Sequence, residues 1–140
     1  DLPRPMIDSK DFDFSFSGLK TAVANLLSTS EVKKMPYTSE VKCNLAVSIE
    51  QAIVDVLIDK TIKAAKLHKV RNVMVAGGVA ANQKLKESLE SRVKSLGIKL
   101  HIPPPSLCTD NGAMIAAAAY FQKPIPNPLS LQADPNLTLN

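Results

Sequence analysis

The chain has 140 residues, of which 45% are hydrophobic and 21% are charged, and its formal net charge is +4. This balance is typical of one folded domain and excludes the low-hydrophobicity, high-charge composition of disordered chains. The mild positive charge is compatible with a nucleic-acid partner but does not indicate one.

The two cysteines, Cys43 and Cys108, lie far apart and form no CxxC pair. The sequence therefore predicts neither a disulfide framework nor a zinc knuckle, and a reducing compartment is expected. No run of 18 or more apolar residues and no secretory leader are visible in the sequence. We accordingly expect no membrane segment.

The first forty residues are predicted to contain one strand and one helix. Residues 1–10 are polar and contain prolines, which indicates an extended lead-in. Residues 11–16 alternate polar and apolar side chains, the pattern of a half-buried strand. Ser17 is a plausible N-cap for a helix that runs through Leu27, and residues 28–38 have the composition of a loop.

The middle of the chain is predicted to alternate helix and strand. Thr38 offers cap chemistry for a long helix, whose apolar residues repeat at helical spacing to about Leu67. Residues 72–76 form a short apolar run, best interpreted as a central buried strand. A helix from 82 to about 96 follows, and Gly97 is placed to end it in the left-handed conformation.

The last part of the chain is predicted to hold a third strand and a fourth helix. The strand covers 98–102, and the prolines at 103–105 indicate a stiff extended crossing. The helix from 111 to about 121 is almost entirely Ala, Ile and Met, so we expect it to be buried on most sides. Residues 123–140 form a proline-rich tail, separate from a lobe at 1–122.

The predicted order of elements favours the α/β class, with a mixed sheet flanked by helices. If the strands around residues 72–76 and 98–102 pair in parallel, their carboxyl ends form one ligand-binding edge.

The first segment that could carry chemistry is VAGGVAAN at 75–82. Gly77 and Gly78 would let a ligand approach the backbone, and the following helix would turn free N–H groups towards it. This arrangement suits a nucleotide, with Asn82 bonding the ribose or base. The alternative is a plain tight connection in which Asn82 caps the helix, and spacing alone favours that alternative.

The second segment surrounds Asp110. Either Asp110 or Thr109 would cap the last helix, and local chemistry favours a cap for Asp110. A carboxylate is also a hard oxygen ligand for a metal, but no HxxxH pair or carboxylate cluster accompanies it. The two histidines, His68 and His101, are isolated in the sequence.

A third segment, residues 14–21, carries hydroxyls and a lysine at a predicted strand-to-helix turn. Ser17 and Lys20 could contact phosphate or RNA backbone, or could simply cap the helix and face solvent. A basic row could form another phosphate-binding surface, although such rows more often face solvent. It consists of Lys60, Lys63, Lys66, Lys69 and Arg71.

Several segments occur together in one order, and their combination is more specific than any of them alone. They are LPRPM at 2–6, DFSFSGLKTAV at 13–23, SIEQAIVD at 48–55, VAGGVAAN at 75–82 and PPPSLCTDNGAMIAAAAY at 103–120. With them the chain resembles the TsaD family, also called Kae, Qri or O-sialoglycoprotein endopeptidase-like, and its bacterial and mitochondrial branch in particular. The resemblance extends from Leu2 to about Phe121 and covers the family's C-terminal half only.

The resemblance implies an actin-like ATPase (ASKHA) fold of two lobes, each with a ribonuclease-H-like core. It implies an acyltransferase that moves threonylcarbamoyl from its AMP adenylate to N6 of the adenosine 3′ of the anticodon in ANN-decoding tRNAs. Asn82, Gly77 and Gly78 match the family's adenosine-binding segment. Asp110 matches an aspartate that holds one divalent metal, iron or zinc, together with two histidines.

Those histidines belong to the family's N-terminal half, which is missing from this sequence. We therefore expect the 140 residues alone neither to bind metal tightly nor to catalyse transfer. The implied ligand is threonylcarbamoyl-AMP or ATP, and the implied partners are tRNA, the missing half, and a second copy or other subunits of the threonylcarbamoyladenosine pathway. The implied localisation is mitochondrial or cytoplasmic. Two alternatives are another actin-like-fold ATP-dependent kinase and a non-catalytic dimerisation or docking half.

Overall fold

The structure, a computed structural model, describes residues 2–29, 38–130 and 132–133. Most of the predicted loop at 28–38 and the end of the predicted tail lie outside these residues. The described part contains four α-helices and two β-strands. In chain order they are α1 (Ser17–Ser28), α2 (Ser39–Leu67), β1 (Asn72–Met74), α3 (Gln83–Lys94), β2 (Lys99–His101) and α4 (Gly112–Tyr120).

The segment before α1 differs from its prediction. Residues 5–8 form a turn, with Met6 at φ 61°, where an extended lead-in was expected. The strand predicted at 11–16 is wrong, since this segment has no regular secondary structure. A strand is stable only beside a neighbour that accepts its hydrogen bonds, and neither β1 nor β2 pairs with this segment. The predicted cap is also wrong, because Phe16 holds the N-cap position and Ser17 is the first helical residue.

The long helix α2 organises the packing of the described residues. It begins as predicted, with the Thr38 side chain accepting from Val41 N, and it ends at Leu67. Its first half packs against Leu2 and Leu19 through Ala52. Its second half forms a separate cluster with α3, whose members are Val54, Ile58, Ile62, Leu85, Leu89 and Val93.

No helix within the described ranges combines the length and the apolar character needed to cross a membrane.

Strands β1 and β2 pair in parallel, with α3 between them in the chain, so the condition stated for a shared carboxyl edge is met. Val73 is in register with Leu100, and Val75 N donates to His101 O at 3.0 Å beyond the end of β1. Gly97 has φ +67° after α3, which confirms the predicted left-handed residue. The α/β class is therefore confirmed. The described part holds two parallel strands and none of the antiparallel pairing that a mixed sheet requires.

Strand β1 is less buried than predicted. Val73 packs against the cluster between α2 and α3, but the neighbouring Met74 is 79% exposed. One face of the two-stranded sheet therefore has no cover among the described residues. A continuous apolar run predicts cover on both faces, and the described residues supply it on one face only.

The predicted burial of the last helix is wrong. Every residue of α4 is exposed, and Ile115 and Tyr120 are 64% and 84% exposed. The proline segment at 103–105, which was predicted to be extended, continues into a short 3-10 turn, Pro105–Leu107. The apolar composition of α4 predicts that something covers it, but composition does not identify what does.

Candidate functional site

The connection between β1 and α3 begins with a backbone conformation that suits glycine alone. Gly77 has φ 85° and ψ 175°, and a 3-10 turn, Gly78–Ala81, follows it. An added Cβ at Gly77 or Gly78 would meet no atom within 4 Å. The backbone here therefore faces open space, as a site for close approach of a ligand requires.

Asn82 ends this turn and joins two helices. Its Oδ1 accepts a hydrogen bond from Leu85 N at 2.8 Å, which confirms the cap suggested by the sequence. Its Nδ2 donates to Oε1 of Glu50, on α2, at 2.7 Å. A primary amide has two N–H hydrogens and two carbonyl lone pairs, so one of each remains after these two bonds. The cap and a ligand-binding role are therefore compatible.

Glu50 is a site residue that sequence reasoning missed. It is 32 positions from Asn82, and no local spacing in the sequence relates the two. The only signal was its presence in SIEQAIVD, one of the segments that carry the family resemblance.

A cavity of about 420 Å³ lies beside the two side chains. Glu50 and Asn82 supply its polar lining, and Val79 of the 3-10 turn contributes to its wall. The rest of the lining comes from α2 and is apolar, namely Ala46, Ile49, Ile53, Val54 and Leu57. An apolar cavity with a few convergent polar groups is the usual form of a small-molecule site, and its volume is within the usual range.

Asp110 lies in the loop between β2 and α4. The cap of α4 is Asn111, whose Oδ1 accepts from Met114 N at 2.8 Å, so the predicted cap at Asp110 or Thr109 is wrong. Asp110 is exposed, and its carboxylate has no hydrogen-bond or ion-pair partner within the described residues. The Asp110 carboxylate therefore does not cap α4, which was the role that local chemistry favoured.

The described residues contain no group of three or more His, Cys, Asp or Glu side chains that could hold a metal. Asp110 can supply one oxygen ligand to a metal. The other ligands would have to come from outside the described ranges. Cys43, which is exposed, and Cys108, which is buried, are both free thiols.

The chain leaves β1 and β2 at the same edge of the sheet, and Asp110 follows β2 only after the prolines at 103–105 and the turn Pro105–Leu107. The Gly77–Asn82 connection follows β1, the Asp110 loop follows β2, and the two strands are parallel. The carboxyl ends of parallel strands meet at the same edge, which is where ligands bind in α/β folds.

Ser17 and Lys20 occupy a different part of the molecule. Both are exposed on α1. That helix packs through Leu19 on the first half of α2, whereas the Gly77–Asn82 connection leads into α3 and the second cluster. The structure does not bring these two residues into contact with Asn82.

The prediction that the basic row forms one exposed surface is wrong, because Lys60 is only 1% exposed. Its Nζ donates to Ser9 Oγ at 2.7 Å and to Asp11 Oδ1 at 3.2 Å. The Ser9 hydroxyl and, next, the Lys60 ammonium hold the pKa of Asp11 below its ordinary value of 3.8. Lys63 donates to Ile7 O at 3.1 Å. These two lysines therefore fix the N-terminal segment on α2.

Comparison with known proteins identifies the family. The sequence model of the TsaD family, described as tRNA N6-adenosine threonylcarbamoyltransferase, matches residues 1–117. The chain belongs to the TsaD family. The matched range contains every candidate site residue, including Asn82 and Asp110, and it favours the transferase over the kinase and docking alternatives.

Individual TsaD relatives agree with this match. Proteins named tRNA N6-adenosine threonylcarbamoyltransferase from Geobacillus thermodenitrificans and Syntrophomonas wolfei are 46% and 45% identical to the chain, over 99% and 97% of it. One from Thermotoga neapolitana is 43% identical over 99%. The chain spans 41%, 40% and 41% of the lengths of these three relatives.

Proposed function

We propose that the chain forms the C-terminal part of a tRNA N6-adenosine threonylcarbamoyltransferase. The enzyme moves threonylcarbamoyl from its AMP adenylate to N6 of the adenosine 3′ of the anticodon in ANN-decoding tRNAs. The observation that carries the proposal is the family match over residues 1–117, which includes the open glycine turn and its cavity. The actin-like ATPase fold, with a ribonuclease-H-like lobe, is part of the same proposal.

In this proposal the adenosine of the adenylate lies against the Gly77–Asn82 turn. The absence of side chains at Gly77 and Gly78 lets it approach the backbone. The remaining N–H and lone pair of Asn82 bind the base, and the apolar wall from α2 excludes water from the adenine ring.

The proposed metal is iron or zinc, with Asp110 as one ligand. Two observations support this, namely the exposure of Asp110 and the lack of any partner for its carboxylate within the described ranges. When bound, such a metal orients the substrate and polarises its carbonyl group. The contribution of this chain is the exposed carboxylate of Asp110, in the segment that follows β2.

The proposed partners are tRNA, the N-terminal portion that the relatives possess, and a second copy or other subunits of the same pathway. Ser17 and Lys20 are proposed to contact tRNA phosphate, which their exposure on α1 permits. A mitochondrial or cytoplasmic location completes the proposal.

The test is a transfer assay with the full-length protein, threonylcarbamoyl-AMP and an ANN-decoding tRNA transcript. Mass spectrometry of the digested tRNA should detect threonylcarbamoyladenosine, and Asn82→Ala should reduce its rate of formation at least about tenfold. Asn44→Ala is the matched control, because Asn44 is exposed on α2 and does not line the cavity. No product from the unmodified protein, or equal rates for both variants, would contradict the proposal.

A further inference from the structure

The hydrogen bond between Asn82 and Glu50 has a fixed donor and acceptor, and this constrains the orientation of the Asn82 amide. Glu50 is an acceptor when ionised, and it meets the amide nitrogen at 2.7 Å. Leu85 N–H is a donor, and it meets the amide oxygen at 2.8 Å. Rotating the amide by 180° would place its oxygen against the carboxylate and its NH2 group against the N–H. Both contacts would then be repulsive, so the two partners select one orientation.

The fixed orientation has a consequence for the cavity that both side chains line. With one N–H and one lone pair engaged, Asn82 retains one donor and one acceptor. Adenine presents an N6 amino donor beside the N7 acceptor, and asparagine recognises this pair bidentately. Guanine presents two acceptors, O6 and N7, at the same positions. An amide whose orientation is fixed therefore matches adenine and mismatches guanine.

We propose that Glu50 is a positioning residue that contributes to the base selectivity of this site by holding, together with Leu85 N–H, the Asn82 amide in one orientation. The inference rests on the proposed function, since it takes the cavity to be the adenosine site. Glu50 acts through Asn82, and its own carboxylate need not touch the base. It is half-buried on α2, where competition from solvent for the bond is reduced.

The experiment measures binding of AMP and of GMP by calorimetry to the full-length protein and three variants. Glu50→Gln keeps the length of the side chain but can also donate, so it removes one of the two contacts that oppose the rotated amide and leaves the Leu85 N–H contact in place. Asn82→Ala removes the amide itself. Glu87→Gln is the matched control, because Glu87 Oε1 also accepts a side-chain amide, from Gln83 Nε2 at 2.7 Å, but is exposed on α3 and does not line the cavity.

The expected result is a partial loss of AMP affinity, about two- to tenfold, in Glu50→Gln, with GMP affinity unchanged or increased. In Glu50→Gln the ratio of AMP affinity to GMP affinity falls, while the melting temperature of this variant stays close to that of the unmodified protein. Asn82→Ala should lose the same selectivity, and Glu87→Gln should keep it. A purely structural role of Glu50 would weaken both nucleotides equally, and that result would overturn the inference.

The experiment distinguishes failure of the proposed adenosine site from failure of the proposed role of Glu50. If the unmodified protein and Asn82→Ala bind AMP with the same affinity, or neither binds it, the proposed adenosine site is wrong and the inference fails with it. If Asn82→Ala weakens AMP binding but Glu50→Gln leaves the AMP-to-GMP ratio unchanged, the adenosine site stands and the role of Glu50 is refuted.

Discussion

The side chain of Asn82 links Glu50 on α2 to the first turn of α3, through bonds of 2.7 Å to Glu50 and 2.8 Å from Leu85 N. One amide thus serves as a helix cap and as a connection between two helices. The Gly77–Asn82 turn is consequently held against α2 by a polar contact as well as by apolar packing. Any ligand in the adjacent cavity would meet a preformed wall.

The double role of Asn82 predicts a larger loss of stability than capping alone. Asn82→Ala should lower the free energy of unfolding of the full-length protein by about 2 kcal/mol, because both the cap and the bond to Glu50 are lost. Asn111→Ala is the control, since Asn111 caps the exposed helix α4 with the same 2.8 Å bond. Its loss should be about 1 kcal/mol or less in urea denaturation. Equal losses would contradict the interhelical role.

The glycine turn predicts opposite effects of the same substitution at two positions. Gly77→Ala should destabilise the protein by about 1–3 kcal/mol, because φ 85° with ψ 175° is strained for any residue with a Cβ. Gly112→Ala, in the first turn of α4, has open space for a Cβ and no positive φ, so it should be neutral or stabilising by up to about 1 kcal/mol. Thermal denaturation measures both, and a neutral Gly77→Ala would refute the assigned conformation.

The buried ammonium of Lys60 predicts a loss of stability that other lysines of α2 do not share. Lys60→Ala should cost about 2 kcal/mol or more, because it leaves a cavity and removes the bonds to Ser9 and Asp11. Lys60→Met keeps most of the volume and should cost less. Lys66→Ala, at an exposed position of the same helix, should change the free energy of unfolding by less than about 0.5 kcal/mol. Equal effects of the two alanine variants would show that Lys60 is not buried.

The lowered pKa of Asp11 predicts a specific loss of stability in acid. Since this pKa lies below its ordinary value of 3.8 in the folded chain, folding favours the ionised carboxylate. Its contribution is present above that ordinary value and is lost as the pH falls through the folded value. The difference in stability between the unmodified protein and Asp11→Asn should therefore shrink below about pH 4. Urea denaturation across pH 2–7 measures it, with Asp8→Asn as an exposed control; a difference that grows in acid would contradict the assignment.

The proposed metal ligand predicts an effect on metal affinity. Asp110→Ala in the full-length protein should weaken binding of zinc or ferrous iron by about tenfold or more, because a charged ligand is removed. Asp13→Ala removes an exposed aspartate from outside the Asp110 loop and should leave the affinity unchanged. Titration of the metal-free protein measures both variants, and unchanged affinity in Asp110→Ala would refute the ligand assignment.

Local signals in the sequence predicted the backbone well from Thr38 to His101. The caps at Thr38 and Asn82, the end of α2 at Leu67 and the left-handed Gly97 depend on neighbouring residues only. Such interactions can be inferred from spacing because they act within one or two helical turns. The sequence left the direction of the pairing between β1 and β2 open, and the structure shows that it is parallel.

Long-range contacts were the part that the sequence did not reveal. The bond from Asn82 to Glu50 and the burial of Lys60 against Asp11 join residues 32 and 49 positions apart. The predicted strand at 11–16 and the predicted burial of α4 failed for a related reason, because each depends on neighbours that periodicity does not specify. The relatives are more than twice as long as this chain.

Helix α2 is 29 residues long, which corresponds to about 43 Å, and its burial is uneven along that length. From Ser39 to Gln51 it has no fully buried residue, whereas buried residues recur from Ala52 to Ala65. Backbone amides in its first turns can therefore exchange their hydrogens through local fraying, while those near Val56 exchange only when the larger cluster opens. One continuous helix thus contains two levels of local stability, and Glu50 lies at the boundary between them.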